Sequence, residues 1–195
     1  MFLEGILIGI LIGFIRRGSL KNIGNIEIKG KGLIIAAFII QLSFLLLNTG
    51  LLDLDFDYYE LILTGSYILI LISLFLNFNI KFVPIVIIGG ILNFLSYILN
   101  NWNVGLTEAA SKTVFSQEIF QLLNNGNITL FKLIPEESFY KGGFIPWNRM
   151  LIFPSAVSIG DIIIFVGLIL IVQNIMVDKR MMSRKNIKFS KDLFR

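Results

Sequence analysis

The chain has 195 residues, 55% of them hydrophobic and 15% charged, with a mean hydropathy of +0.81 and a net charge of +4. Soluble domains average about 45–50% apolar and about 25% charged residues, so the composition points to an all-α integral membrane protein. Cysteine and histidine are absent, which removes disulfides, Cys- and His-based zinc, haem and iron–sulfur sites, and the usual proton shuttle near neutral pH; no metal and no cofactor is expected.

The first apolar stretch, residues 1–15, ends at Arg16-Arg17. A secretory signal carries its charges before the apolar core; the order here is reversed, which predicts a retained helix. It is short, about 22 Å at 1.5 Å per residue, against a hydrocarbon core of about 30 Å. Gly5, Gly9 and Gly13 lie on one stripe of it. Small residues at that spacing let helix backbones approach closely, which predicts a helix-packing interface, either within the chain or with a partner.

Residues 18–32 form a basic, glycine-punctuated segment in which Leu20, Ile23, Ile26 and Ile28 are spaced to lie at an interface. A second span is predicted over 33–52, followed by Asp53, Asp55, Asp57 and Glu60. The acids imitate the start of a calcium loop, but Tyr58 stands where glycine is needed and the closing Glu is missing. A third span covers 61–78 and a fourth 83–99, with Pro84 at the helix start, where it costs no hydrogen bond. On the fourth span Asn93, Ser96 and Asn100 form one polar stripe leading to Asn101 and Asn103. Buried amides need partners, so the stripe should face the bundle, either in interhelical hydrogen bonds or lining a ligand cavity. Gln41, Ser43, Thr64 and Ser73 are further polar points without a pattern.

Residues 100–156 form a long loop. Within it Thr107 to Leu123 reads as one amphipathic helix, with Phe115, Ile119, Leu122 and Leu123 on a face and Asn124-Asn125-Gly126 as its stop. Trp102 and Trp147 lie here, where interfacial aromatics are expected. The fifth span, 159–177, opens on Ser158-Ile-Gly-Asp161, a capping-box pattern. Asp161 is also the ionisable residue best placed to face a polar cavity, with Arg149 as the nearest basic candidate. A basic tail follows, 178–195.

Lys and Arg orient the chain. Five lie at or before residue 31, one in the turn at Lys81 and seven in the tail, against four in the long loop. The positive-inside bias then places the N-terminus outside and the tail in the cytoplasm. One transmembrane domain, 1–177, with about five spans in a bacterial cytoplasmic membrane is the expected organisation. The basic clusters flank apolar spans, so lipid headgroups rather than nucleic acid are the expected contacts. A homo-oligomer or other membrane subunits are the remaining partner classes. No internal repeat is visible, which disfavours an inverted-repeat transporter.

The Gly-rich first helix closed by R-R-G-S-L, the Asn-containing fourth helix and the S-I-G-D opening of the last helix resemble the bacterial membrane-protein family of unknown function DUF5317, nearly end to end. The family pattern carries Asn-Gly-Gly-x-Met-Pro after the fourth helix. Here residues 100–105 read N-N-W-N-V-G, and the fit is confined to the Asn and the downstream Thr107-Glu108-Ala109. The resemblance singles out Asn100, Ser158 and Asp161 and implies no activity. The leading expectation is a non-enzymatic multi-pass membrane protein, either an accessory subunit or a binder of a small amphiphilic ligand or lipid at the outer face. Its candidate residues are Asn93, Asn100, Asn101, Asn103, Arg149, Ser158 and Asp161. A small transporter or channel along Asn93, Asn100 and Asp161 is the alternative. An outer-face enzyme using Asp161, Glu108 or Glu136, or a sensor, is a third class.

Overall fold

A computed structural model describes residues 2–48, 59–126, 131–147 and 155–178. The expected acidic run at Asp53, Asp55 and Asp57, Arg149, and the tail after Asp178 lie outside the described residues.

Five long helices dominate: α1 (Phe2–Ile15), α3 (Lys31–Asn48), α4 (Tyr59–Leu76), α5 (Val83–Leu99) and α8 (Ile159–Val177), with a single turn α2 (Lys21–Gly24) after α1. Their limits follow local chemistry. Helix α1 stops at Arg16-Arg17, with Arg17 in the left-handed region at φ 59°. Gly30, at φ +66°, turns the chain into α3. Pro84 sits in the first turn of α5, where its missing N–H has no partner to lose. Helix α8 opens on a complete capping box between Ser158 and Asp161.

The helices stand in a row, α1–α8–α5–α4–α3, each packing chiefly on its neighbour. Helix α1 runs parallel to α8: Gly5 faces Phe165, Gly9 faces Ile169 and Val172, and Gly13 faces Met176. The glycine stripe is thus occupied by the chain's own last helix. Helices α8 and α5 are antiparallel, Gly89 lying against Gly160 and Ile164, and Gly167 against Val86. Gly90 meets Leu71 and Leu74 of α4, while Tyr67 of α4 packs on Tyr97 with ring centroids 5.4 Å apart. Gln41 of α3 donates to the Ser66 hydroxyl of α4 at 3.2 Å.

This order gives the row two distinct ends. At one end Asn77 clamps the segment before α3: its amide donates to the Lys29 carbonyl (2.7 Å) and its oxygen accepts from the Lys29 N–H (2.9 Å). Buried Asn22 donates to the Met176 carbonyl at 2.8 Å and fastens α2 beneath α8. Arg16, Arg17, Lys21, Lys29, Lys31 and Lys81 gather at this basic end.

The other end carries a cap built from residues 100–157. Strand β1 (Val104–Thr107) pairs in parallel with β2 (Phe131–Ile134), register Val104↔Phe131, across a crossover of α6 (Glu108–Val114) and α7 (Gln117–Asn124). A 3₁₀ segment (Glu136–Lys141) leads to an antiparallel pair, β3 (Ile145–Trp147) and β4 (Ser155–Val157). Leu63 and Tyr97, with Tyr67, Trp102, Val104 and Phe131 around them, form the core where cap meets helices.

Two expectations change here. The all-α reading gives way to a mostly helical chain with four short strands among the described residues. The single helix expected over Thr107–Leu123 is two, because Ser116 turns extended (φ −64°, ψ 159°) and its hydroxyl accepts from the Ile119 N–H. A Ser in that geometry starts a helix rather than continuing one. The stop at Asn124-Asn125-Gly126 is in place, with Gly126 at φ +74°.

Helix α8 is, among the described residues, the one helix long and apolar enough to cross a membrane, with mean hydropathy 2.3. About 22% of its apolar stretch is buried inside the protein. Helices α1 and α5 and the apolar stretches Lys31–Ser43 and Leu61–Leu76 are shorter. Their outer faces display Leu7, Leu11, Ile35, Phe38, Leu61 and Phe75.

Candidate functional site

The polar stripe of α5 lies where α8 begins, and the cap closes over both. Asn93 Nδ2 donates to Asp161 Oδ1 at 2.7 Å, and the Ser158 hydroxyl donates to Asn93 Oδ1 at 2.7 Å. The capping box completes the triangle. Ser158 N–H donates to Asp161 Oδ2 at 3.0 Å, and Asp161 N–H donates to the Ser158 hydroxyl at 3.0 Å. The expected cap and the expected contact of the α5 stripe are therefore one structure, with Asn93 holding both partners of the box. Gly160 makes it possible, since a Cβ there would collide with the Asn93 carboxamide oxygen.

One turn further along α5 the stripe changes partner. The Ser96 hydroxyl and Asn100 Nδ2 (2.5 Å) both donate to the carbonyl of Lys141, at the end of the 3₁₀ segment. Asn100 is 2% exposed and also returns a bond to the Ser96 carbonyl at 2.8 Å. It pins the cap to the helix row and has no free face for a ligand. Asn101 and Trp102 both have positive φ, 58° and 63°, as the chain leaves α5. Asn101 is exposed, and its carbonyl accepts from Asn103 Nδ2 at 2.9 Å.

Between these two clusters lies a cavity of about 90 Å³. Helix α5 supplies Asn93, Ser96 and Tyr97 to its wall, and α4 supplies Tyr67. Ser158 and Asp161 close one side, and Asn103 with Gly105 closes another. Gly142 and Gly143 form the remaining wall, and glycine is required there: a side chain on Gly142 would strike the Gly105 backbone, and one on Gly143 would lie 2.8 Å from the Ala156 carbonyl. Asn103 Nδ2 is engaged by the Asn100 and Asn101 carbonyls at 3.3 and 2.9 Å. Its Oδ1 is buried and has no hydrogen-bond partner among the described residues.

Of the expected site residues, Asn93, Asn103, Ser158 and Asp161 meet at this cavity. Asn100 lies beside it as a structural pin, Asn101 lies outside it, and Arg149 is outside the described residues. Sequence reasoning passed over Tyr67, Tyr97 and the Gly142-Gly143 pair. The adjacent glycines are a readable sign of close backbone approach; the tyrosines carry none, because an aromatic on an apolar helix reads as core.

The family of unknown function DUF5317 matches residues 25–173. The chain belongs to this family. The matched region holds α3 to α5, the cap, the cavity and most of α8, but it leaves out α1 and R-R-G-S-L, so the likeness is less extensive at the N-terminus than the motifs implied. No curated protein and no solved structure matches the chain.

Chemically, the described residues of the wall offer one carboxylate, two amides, two aliphatic hydroxyls and two phenols. Among the described residues no three Asp or Glu converge as a metal site would require. Pockets that enclose drug-sized ligands run to about 300–1,000 Å³, so this one admits a small polar group and not an acyl chain.

Proposed function

We propose that this chain is a non-enzymatic multi-pass membrane protein whose outer face binds the polar group of a small amphiphile or lipid. The polar cavity between α5, α8 and the cap carries the reading. In a bilayer its position would be the headgroup level, with the apolar outer faces of α5 and α4 beside it to receive a tail.

Five crossings, N-terminus outside, are the topology that suits the chain best. Taken in chain order the long helices α1, α3, α4, α5 and α8 alternate in direction, which is why α1 and α8 lie parallel, and the basic residues gather at the end opposite the cap, as cytoplasmic segments do. Displayed Leu, Ile and Phe on the helix faces suit lipid contact. The helices are shorter than a typical span, and short spans are accommodated by local bilayer thinning.

An accessory-subunit role is the second reading. The row places α1 and α3 at its edges, each with one flank against the chain and the other displaying apolar side chains. Transport is less well supported, because the sequence shows no internal repeat of the kind inverted-repeat transporters carry.

Native mass spectrometry of gently extracted protein tests the proposal. An adduct of lipid or metabolite size that is lost in Asn93→Ala supports binding at the cavity. Protein-sized adducts instead favour the accessory-subunit reading, and a bare chain refutes the binding proposal.

A further inference from the structure

If the cavity is a binding site, its chemistry specifies the sign and shape of what it binds; this step rests on the reading above. Among the described residues, Asp161 is the one charged side chain in the wall, and no described Lys or Arg lines it. Each carboxylate oxygen holds one donor, Asn93 Nδ2 on Oδ1 and Ser158 N–H on Oδ2. A carboxylate accepts about four, so capacity remains on both oxygens. No described Lys or Arg pairs with this carboxylate. An anionic group such as phosphate would meet that charge at short range, where like charges repel.

Asn103 adds a second requirement. Its amide cannot be turned over without losing both bonds from Nδ2, which fixes Oδ1 as the group left buried and without a partner. A buried acceptor without a donor costs about 1–3 kcal/mol, and a ligand donor would remove that cost. Third, Tyr67 and Tyr97 stack at 5.4 Å and both line the cavity, which puts aromatic rings beside a bound cation.

We propose that the cavity receives a primary ammonium group. A –NH₃⁺ group carries three donors and no acceptor, which suits Asp161, Asn103 Oδ1 and a phenol or Ser96 oxygen as a set. At about 90 Å³ the space takes the ammonium and the carbon next to it. Two sources present this chemistry at an outer membrane face: an ethanolamine lipid headgroup and a free small amine.

The test uses the full chain in detergent, incubated with phosphatidylethanolamine, phosphatidylglycerol or phosphatidylcholine and examined by native mass spectrometry. The ethanolamine lipid should survive activation that strips the other two. Asp161→Asn should lower its retention about tenfold, the loss expected for one charge-assisted hydrogen bond. Asn103→Ala should lower it several-fold, and this residue has no part in the α8 cap, so the effect does not depend on the capping box. Displacement by free ethanolamine assigns the site to free amines, and persistence assigns it to the lipid. Equal retention of phosphatidylglycerol, or displacement by NaCl as effective as by ethanolamine, overturns the ammonium assignment. If retention of any lipid still depends on Asn93, outer-face binding survives that result; if no lipid is retained, both proposals fall.

Discussion

Replacing Gly89 by alanine should separate α5 from α8. The new Cβ would lie 2.6 Å from the Gly160 carbonyl oxygen, 2.7 Å from Ile164 Cγ1 and 3.0 Å from the Ile164 nitrogen. Two of these three atoms are backbone, so no rotamer change relieves the contact. Ordinary contact begins near 3.4 Å, and the helices would have to part by roughly 0.8 Å. Overpacking of this kind costs about 1–3 kcal/mol, partly offset by the better helix propensity of alanine, about 1 kcal/mol. Gly65 is the internal control. It lies inside α4 with nothing within 4 Å of an added Cβ, so Gly65→Ala should gain about 0.5–1 kcal/mol. Thermal unfolding of both variants in one detergent should show Gly89→Ala below wild type by up to about 5 °C and Gly65→Ala slightly above it. A Gly89→Ala protein as stable as Gly65→Ala would refute the close α5–α8 contact, and with it the account of how Asn93 reaches Ser158 and Asp161.

Ser158→Ala removes the hydroxyl that caps α8 and donates to Asn93; a loss of about 1–2 kcal/mol is expected in the same unfolding assay, and an unchanged midpoint would contradict the cap. Asn77→Ala deletes the two-way clamp on Lys29 and a bond to the Ser73 carbonyl. It should lower stability by about 1–3 kcal/mol and expose the Lys29 peptide to trypsin, so a digestion rate equal to wild type would argue against the clamp. The chain has no native cysteine, so single replacements report topology cleanly. In intact cells, Gln121→Cys in α7 should react with an impermeant maleimide, whereas Asn79→Cys in the α4–α5 turn should react after the membrane is opened. The reverse pattern would invert the proposed orientation.

Among the described residues the five long helices were legible in the sequence. The fourth and fifth predicted segments, 83–99 and 159–177, coincide with α5 and α8, because Pro84, Asn100, Ser158 and Asp161 are local punctuation that acts within one turn. The S-x-x-D pattern was readable as a cap for the same reason, since both bonds close within four residues. The region after Leu99 was harder. Strands of three or four residues are too short to show alternation, and β1 pairs with β2 through a crossover of 23 residues whose partners are not neighbours in sequence. The amphipathic pattern across Thr107–Leu123 continued through Ser116, and the period alone did not show that Ser116 begins a second helix.

By itself the sequence determined what local chemistry can determine: where α5 and α8 start and stop, which end of the helices is basic, and that Asn93, Asn100 and Asp161 needed polar partners. Periodicity says which face of a helix is apolar but not which helix will cover it. The row order α1–α8–α5–α4–α3, the parallel seating of the glycine stripe on α8, and the division of the α5 stripe between Asp161 and the Lys141 carbonyl were decided by tertiary structure. So was the cavity. Its walls come from α4, α5, α8 and three separate parts of the cap, and a volume enclosed by distant segments is a property of their packing rather than of any one segment's residues.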